Sequence, residues 1–144
     1  MPKDTPKVIE TDAEGNSRSN YDLYMDGVAV TYFTLREVPA LVEQVLKNAG
    51  LERKEIDYYV FHQASKFMLE YVQKKCGLLE CPFYNDMRET GNTVAGTIPF
   101  ALERLLADNS IPSLSHVMLA GFGVGLSWAG CIADLGYMMK KEGR

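Results

Sequence analysis

The stretch from Val117 to Ala133 has no charged side chain, yet it holds four glycines, Gly121, Gly123, Gly125 and Gly130. An uncharged run of this length approaches a membrane span, so it must be buried either in lipid or in protein. The glycines decide between the two. Each weakens a helix interior by about 1 kcal/mol relative to alanine, and three of them fall at alternate positions, a pattern that marks turns between strands. The expectation is two buried strands, Val117–Ala120 and Leu126–Ala133, joined by Gly121-Phe122-Gly123-Val124-Gly125. Other elements must then cover that sheet.

The preceding chain supplies them. Leu35, Val38, Leu41, Val42, Val45, Leu46 and Ala49 form one helical apolar stripe, with Pro39 read as near the helix start and Gly50 as a left-handed cap. Ile56–Phe61, rich in aromatic and β-branched residues, reads as a buried strand. Ser65 is placed to cap a helix carrying Met68, Tyr71 and Val72 and ending at Gly77. Thr93 is placed to cap another, with Ala95, Ile98, Ala101, Leu102, Leu105 and Leu106 on one face and Pro99 distorting its early turns. No periodicity emerges between Leu78 and Gly91. The order helix, strand, helix, helix, strand, strand gives an α/β fold, a mixed β-sheet layered with helices. Residues 1–24 contain Pro2, Pro6, Gly15 and several Asp, Asn and Ser, and are expected to form a loop or extended arm, as in a chain cut within a larger protein. Residues 25–144 are expected to form the folded domain.

Composition narrows the function classes. A 144-residue chain with 47% hydrophobic and 24% charged residues is expected to form one domain with its own core. A net charge of −4, with no basic stripe, argues against a non-specific nucleic-acid binder. The polar opening Met1–Asn20 does not read as a signal peptide. Cys76, Cys81 and Cys131 have no metal-type pairing, so reduced thiols in a cytoplasmic protein are expected, with no metal or redox cofactor.

Three places are candidates for chemistry. His62 stands at the carboxyl end of the expected strand Ile56–Phe61, where ligands gather in open α/β sheets, and an imidazole there can donate a hydrogen bond or move a proton. Position alone fits a loop-tying histidine equally well. Asn92, in Gly91-Asn92-Thr93, offers a neutral amide N–H to developing negative charge, although a plain turn and cap accounts for the same residues. The glycine loop 121–125 lets backbone N–H groups approach a ligand, and a tight hairpin turn is its ordinary reading. No helix is expected after it, so it is not a dinucleotide fingerprint.

Taken together, Phe61-His62-Gln63-Ala64, Gly91-Asn92-Thr93 and Gly121-Phe122-Gly123-Val124-Gly125-Leu126-Ser127-Trp128 resemble the C-terminal half of the ketoacyl-acyl-carrier-protein synthase III family, from about Met25 to Leu135. The resemblance implies a thiolase-like fold and a decarboxylating condensation of an acyl thioester with malonyl-acyl-carrier protein, in fatty-acid or related acyl-chain synthesis. His62 and Asn92 match the histidine and asparagine that hydrogen-bond the malonyl thioester carbonyl. Gly123, Val124 and Gly125 match the oxyanion loop, with Val124 where a glycine is more usual. Met25 and Gly27 match the substrate channel. Lys74 and Lys75, with Lys66 nearby, match a basic patch for acyl carrier protein, while Phe67 stands at a position that is often basic. Ser65 replaces the usual asparagine after His-Gln-Ala. The family's nucleophilic cysteine belongs to an N-terminal half-domain, and none of the three cysteines here matches it. Expected partners are that half-domain, acyl carrier protein, acyl-coenzyme A or another acyl thioester, and a second copy in a homodimer, with neither nucleic acid nor membrane. The same residues fit two other readings: acyl transfer to a hydroxyl or amine without decarboxylation, and a non-catalytic module that binds a carrier protein or partner.

Overall fold

The computed structural model describes residues 6–22 and 25–139, and expectations that fall on 1–5, 23–24 and 140–144 lie outside the described residues. Its elements in order are β1 (Ile9–Thr11), β2 (Ser17–Ser19), α1 (Gly27–Ala49), β3 (Tyr58–Phe61), α2 (Lys66–Lys75), β4 (Phe83–Tyr84), α3 (Met87–Thr90), α4 (Thr97–Ala107), β5 (Val117–Gly123), β6 (Ser127–Ala133) and α5 (Gly136–Met139). The segment before α1 carries a small antiparallel ribbon, β1 with β2.

The main sheet has the order β4-β3-β5-β6; β3 runs parallel to β4 and β5, and β6 closes it as an antiparallel hairpin partner of β5. This is the expected mixed α/β arrangement. Alternation along the strands sorts the core into two layers. Tyr59 and Phe61 of β3 and Met118, Ala120 and Phe122 of β5 pack with Phe33, Val38, Val42 and Leu46 of α1 and with Leu69 and Val72 of α2. On the opposite face, Val60 and Val117 pack with Ala101 and Leu105 of α4. Gly130 lets α1 lie close: a Cβ there would stand 3.0 Å from the Leu119 carbonyl oxygen and 3.2 Å from Leu41 Cδ2. No helix among the described residues is long and apolar enough to cross a membrane.

Four local expectations are corrected. The helix α1 starts at Gly27, where Asp26 accepts a hydrogen bond from Ala29 N–H, so Pro39 lies inside it and not near its start. Val28, Val30, Thr31, Tyr32, Phe33 and Thr34 are weak helix formers, and tertiary packing of Phe33 and Thr34 overrides that weakness. Thr93 does not cap α4. A turn of 3-10 helix, Val94–Gly96, intervenes, and the buried Thr93 hydroxyl has no hydrogen-bond partner. Pro99 is the third residue of α4, where its missing N–H costs no intrahelical bond. Finally, β5 runs on through Gly121, Phe122 and Gly123, so only 124–126 connect the hairpin. The backbone of Gly121 and Phe122 pairs with Ala129 and Trp128.

Candidate functional site

The carboxyl ends of β3 and β5 lie side by side, since Phe61 pairs with Ala120 and His62 N–H donates to Ala120 O at 2.8 Å. His62 therefore leaves the sheet at its rim, half-buried, with its ring edge-to-face on Phe122 at 5.5 Å between centroids. Burial of the imidazole lowers its pKa from the ordinary 6.5, so the ring is neutral at pH 7. Its Nδ1 stands 2.7 Å from Thr97 Oγ1, at the first turn of α4, which leaves Nε2 as the nitrogen available to a ligand.

Asn92 is tied to the same place from the other side. Its Nδ2 donates to Ala64 O at 3.1 Å, two residues beyond His62, and its Oδ1 accepts from Val94 N–H at 2.9 Å. A carbonyl oxygen only accepts and a backbone N–H only donates, so the amide's orientation is fixed. One Nδ2–H remains for a ligand. Val94 itself adopts a left-handed φ of 56°, uncommon for a β-branched residue, in the turn that presents Asn92.

Gln63 locks these loops together. The side chain is fully buried; its Nε2 donates to Phe61 O at 2.7 Å, and its Oε1 accepts from Asp86 N–H at 2.8 Å. Asp86 opens the short α3 that leads to Gly91-Asn92, and it is paired in turn with Arg104 of α4 at 3.3 Å. Sequence reasoning missed Gln63 and Thr97 as site residues. Their only signals were a polar residue beside the candidate His62 and a hydroxyl where a helix begins.

The remaining candidates fall in three positions. Gly123, Val124 and Gly125 form the tip of the β5–β6 hairpin next to Phe122, with the Val124 side chain exposed and Ser127 Oγ donating to Val124 O at 3.0 Å. Met25 and Gly27 stand at the head of α1. Phe33 lies against Trp128 and Leu41 against Gly130, so the helix runs away from the hairpin tip and its head is at the rim that bears His62. Lys66 opens α2, while Lys74 and Lys75 end it about 12 Å further along the axis. All three are exposed, and Phe67 and Tyr71 stack between them at 6.0 Å. Thus His62 and Asn92 share two adjoining loops, the hairpin tip borders His62, and the lysines extend away from the rim.

None of the cysteines resembles an activated nucleophile. Cys76 is buried at the end of α2, and burial pushes its thiol up to about 12; Cys81 is half-buried and Cys131 lies within β6.

A profile of the family described as 3-oxoacyl-[acyl-carrier-protein (ACP)] synthase III C terminal matches residues 46–135. The beta-ketoacyl-[acyl-carrier-protein] synthase III of Lactococcus lactis is 36% identical over 88% of this chain and 40% of its own length. That of Clostridium tetani is 38% identical over 76% of this chain and 33% of its own length. A crystal structure of a 3-oxoacyl-(acyl-carrier-protein) synthase III superposes with a TM-score of 0.79 at 43% identity, covering 88% of this chain and 38% of the other. The synthase III from Thermus thermophilus gives 0.73 at 30% identity, covering 86% and 38%. The chain thus spans about 40% of the length of the curated relatives it matches.

Proposed function

The chain belongs to the ketoacyl-acyl-carrier-protein synthase III family and has the fold of its C-terminal half, and from that premise we propose that it supplies the decarboxylating half of a condensing site. The observation that carries the reading is the pair of neutral hydrogen-bonding groups, His62 and Asn92, fixed on adjoining loops at the sheet's rim, with His62 Nε2 and one N–H of the Asn92 amide left without a partner among the described residues. On this reading a malonyl thioester, delivered on acyl carrier protein, places its thioester oxygen between them. The bond to the carboxylate breaks, CO₂ leaves, and the electron pair becomes an enolate whose oxygen the two donors hold. The enolate carbon then attacks an acyl thioester and displaces its thiolate. This sequence calls on no metal or redox cofactor.

The acyl group, brought by coenzyme A or another carrier, requires a nucleophile that this chain's cysteines do not resemble, so the rest of the family's fold must provide it. An uncovered strip on the α4 side of the sheet supports such a companion. Leu119, Gly121, Ala129 and Cys131 form an almost wholly apolar hollow whose small residues admit a closely packed element. Lys66, Lys74 and Lys75 are proposed to meet the acidic carrier protein, and a homodimer is the expected assembly.

CO₂ release from malonyl-acyl-carrier protein, measured on the protein that carries this chain, tests the reading. Replacing His62 or Asn92 by alanine is expected to lower the rate by about 10²–10³-fold each, the usual effect of removing one such donor. Acyl transfer to a hydroxyl or amine without any CO₂ release overturns it.

A further inference from the structure

Thr97 is buried at the first turn of α4, with 1% of its surface exposed, and its hydroxyl lies between two groups. His62 Nδ1 is 2.7 Å away, and Val94 O is 3.2 Å away. A hydroxyl has one proton to donate. If it goes to Val94 O, then Nδ1 must carry the imidazole proton, and Nε2 presents a lone pair to any ligand. If it goes to Nδ1, then Nε2 carries the proton and becomes a donor. A carbonyl or enolate oxygen is held by the second form and repelled by the first. Val94 O competes weakly for that proton, since 3.2 Å exceeds the usual O–H···O separation, while Nδ1 is 2.7 Å away.

We infer that Thr97 is a positioning residue which donates to Nδ1 and so fixes His62 in the Nε2–H tautomer that faces the substrate. The need for that tautomer rests on the function proposed above; the tautomer itself does not. The same turn then orients both groups, because Val94 N–H fixes the Asn92 amide while Thr97, three residues later, fixes the imidazole. Burial of His62 keeps the ring neutral, so the tautomer is the quantity left to set.

The ring-nitrogen ¹⁵N shifts of histidine-labelled protein read the tautomer directly. The chain has two histidines, and the second is an internal reference. His116 Nδ1 lies 3.1 Å from Glu55 O, which can only accept, so that ring carries its proton on Nδ1. At about pH 8.5, where imidazoles are neutral, His62 is expected to give the opposite pattern to His116. The same pattern in both rings overturns the inference, with no variant needed. In Thr97→Val the His62 shifts should move toward the averaged values of a free imidazole. CO₂ release should fall about tenfold, the worth of one hydrogen bond, with KM for the malonyl thioester little changed. Thr97→Ser should restore both. Unchanged shifts and rate in Thr97→Val refute the assignment. If His62 shows the Nε2–H pattern but His62→Ala leaves CO₂ release intact, the proposed function fails while the role of Thr97 in setting the tautomer stands.

Discussion

Gln63→Met tests whether the two loops of the site are held by one buried carboxamide. Methionine keeps nearly the same shape but can neither donate to Phe61 O nor accept from Asp86 N–H, the contacts made at 2.7 and 2.8 Å. Gln63 is fully buried, so water cannot take its place without opening the core. Each buried group left unpaired costs about 1–3 kcal/mol. Burying a thioether where an amide stood returns about 1–2 kcal/mol. The net loss is expected at about 2–3 kcal/mol. Small proteins unfold in urea with slopes of about 1–3 kcal/mol per molar, so the midpoint should fall by about 1–2 M, followed by far-ultraviolet circular dichroism. CO₂ release should drop further than stability alone explains, because Asp86 begins the segment that delivers Asn92. A midpoint within about 0.3 M of the wild type, or full activity in a destabilised protein, would refute the clamp.

Two further outcomes follow from burial at single groups. Because burial pushes Cys76 from 9.0 up to about 12, its thiolate is about a thousandfold scarcer at pH 8, and iodoacetamide should alkylate Cys76 far more slowly in the folded protein than after unfolding in urea; equal rates by peptide mapping contradict the burial. For His62, burial holds the folded pKa below 6.5, so the unfolded chain takes up a proton first as the solution is acidified. The stability tied to the neutral ring is fully present above pH 6.5 and declines below it, so His62→Phe should flatten the stability-versus-pH curve in that window, and parallel curves for the two proteins would show the ring to be solvated.

Periodicity exposed the core and hid the seams. Val38, Val42 and Leu46 are buried where the helical stripe puts them, and Tyr59, Val60 and Phe61 are buried on both faces as a strand between two parallel neighbours must be. The first turns of α1 escaped because β-branched and aromatic residues disfavour isolated helix, and here they are supported by the Asp26 cap and by packing of Phe33 in the core. The segment 78–91 looked irregular because its elements are two and four residues long, too short for any period to register. His62 and Asn92 stood out because a polar residue at a strand end or helix entry is conspicuous in sequence. Gln63 and Thr97 did not, because their importance lies in partners 23 and 35 residues away.

If His62 and Asn92 face a malonyl thioester as proposed, their neutrality bears on why this rim would suit loss of CO₂. On the proposed reading the substrate begins with its charge on the carboxylate that departs, and ends with charge on the thioester oxygen. A cationic imidazole would stabilise the starting carboxylate as well as the product, and interactions made equally in both states do not speed the chemical step. Neutral donors aimed at the thioester oxygen gain strength only as charge arrives there. Phe122, edge-on to His62 at 5.5 Å, serves both ends of this logic. It is part of the burial that lowers the ring's pKa, and on the proposed reading the low local dielectric would strengthen the hydrogen bond once an enolate forms. Substitution of Phe122 by a polar residue of similar size would therefore weaken the chemistry without removing any group that touches the substrate.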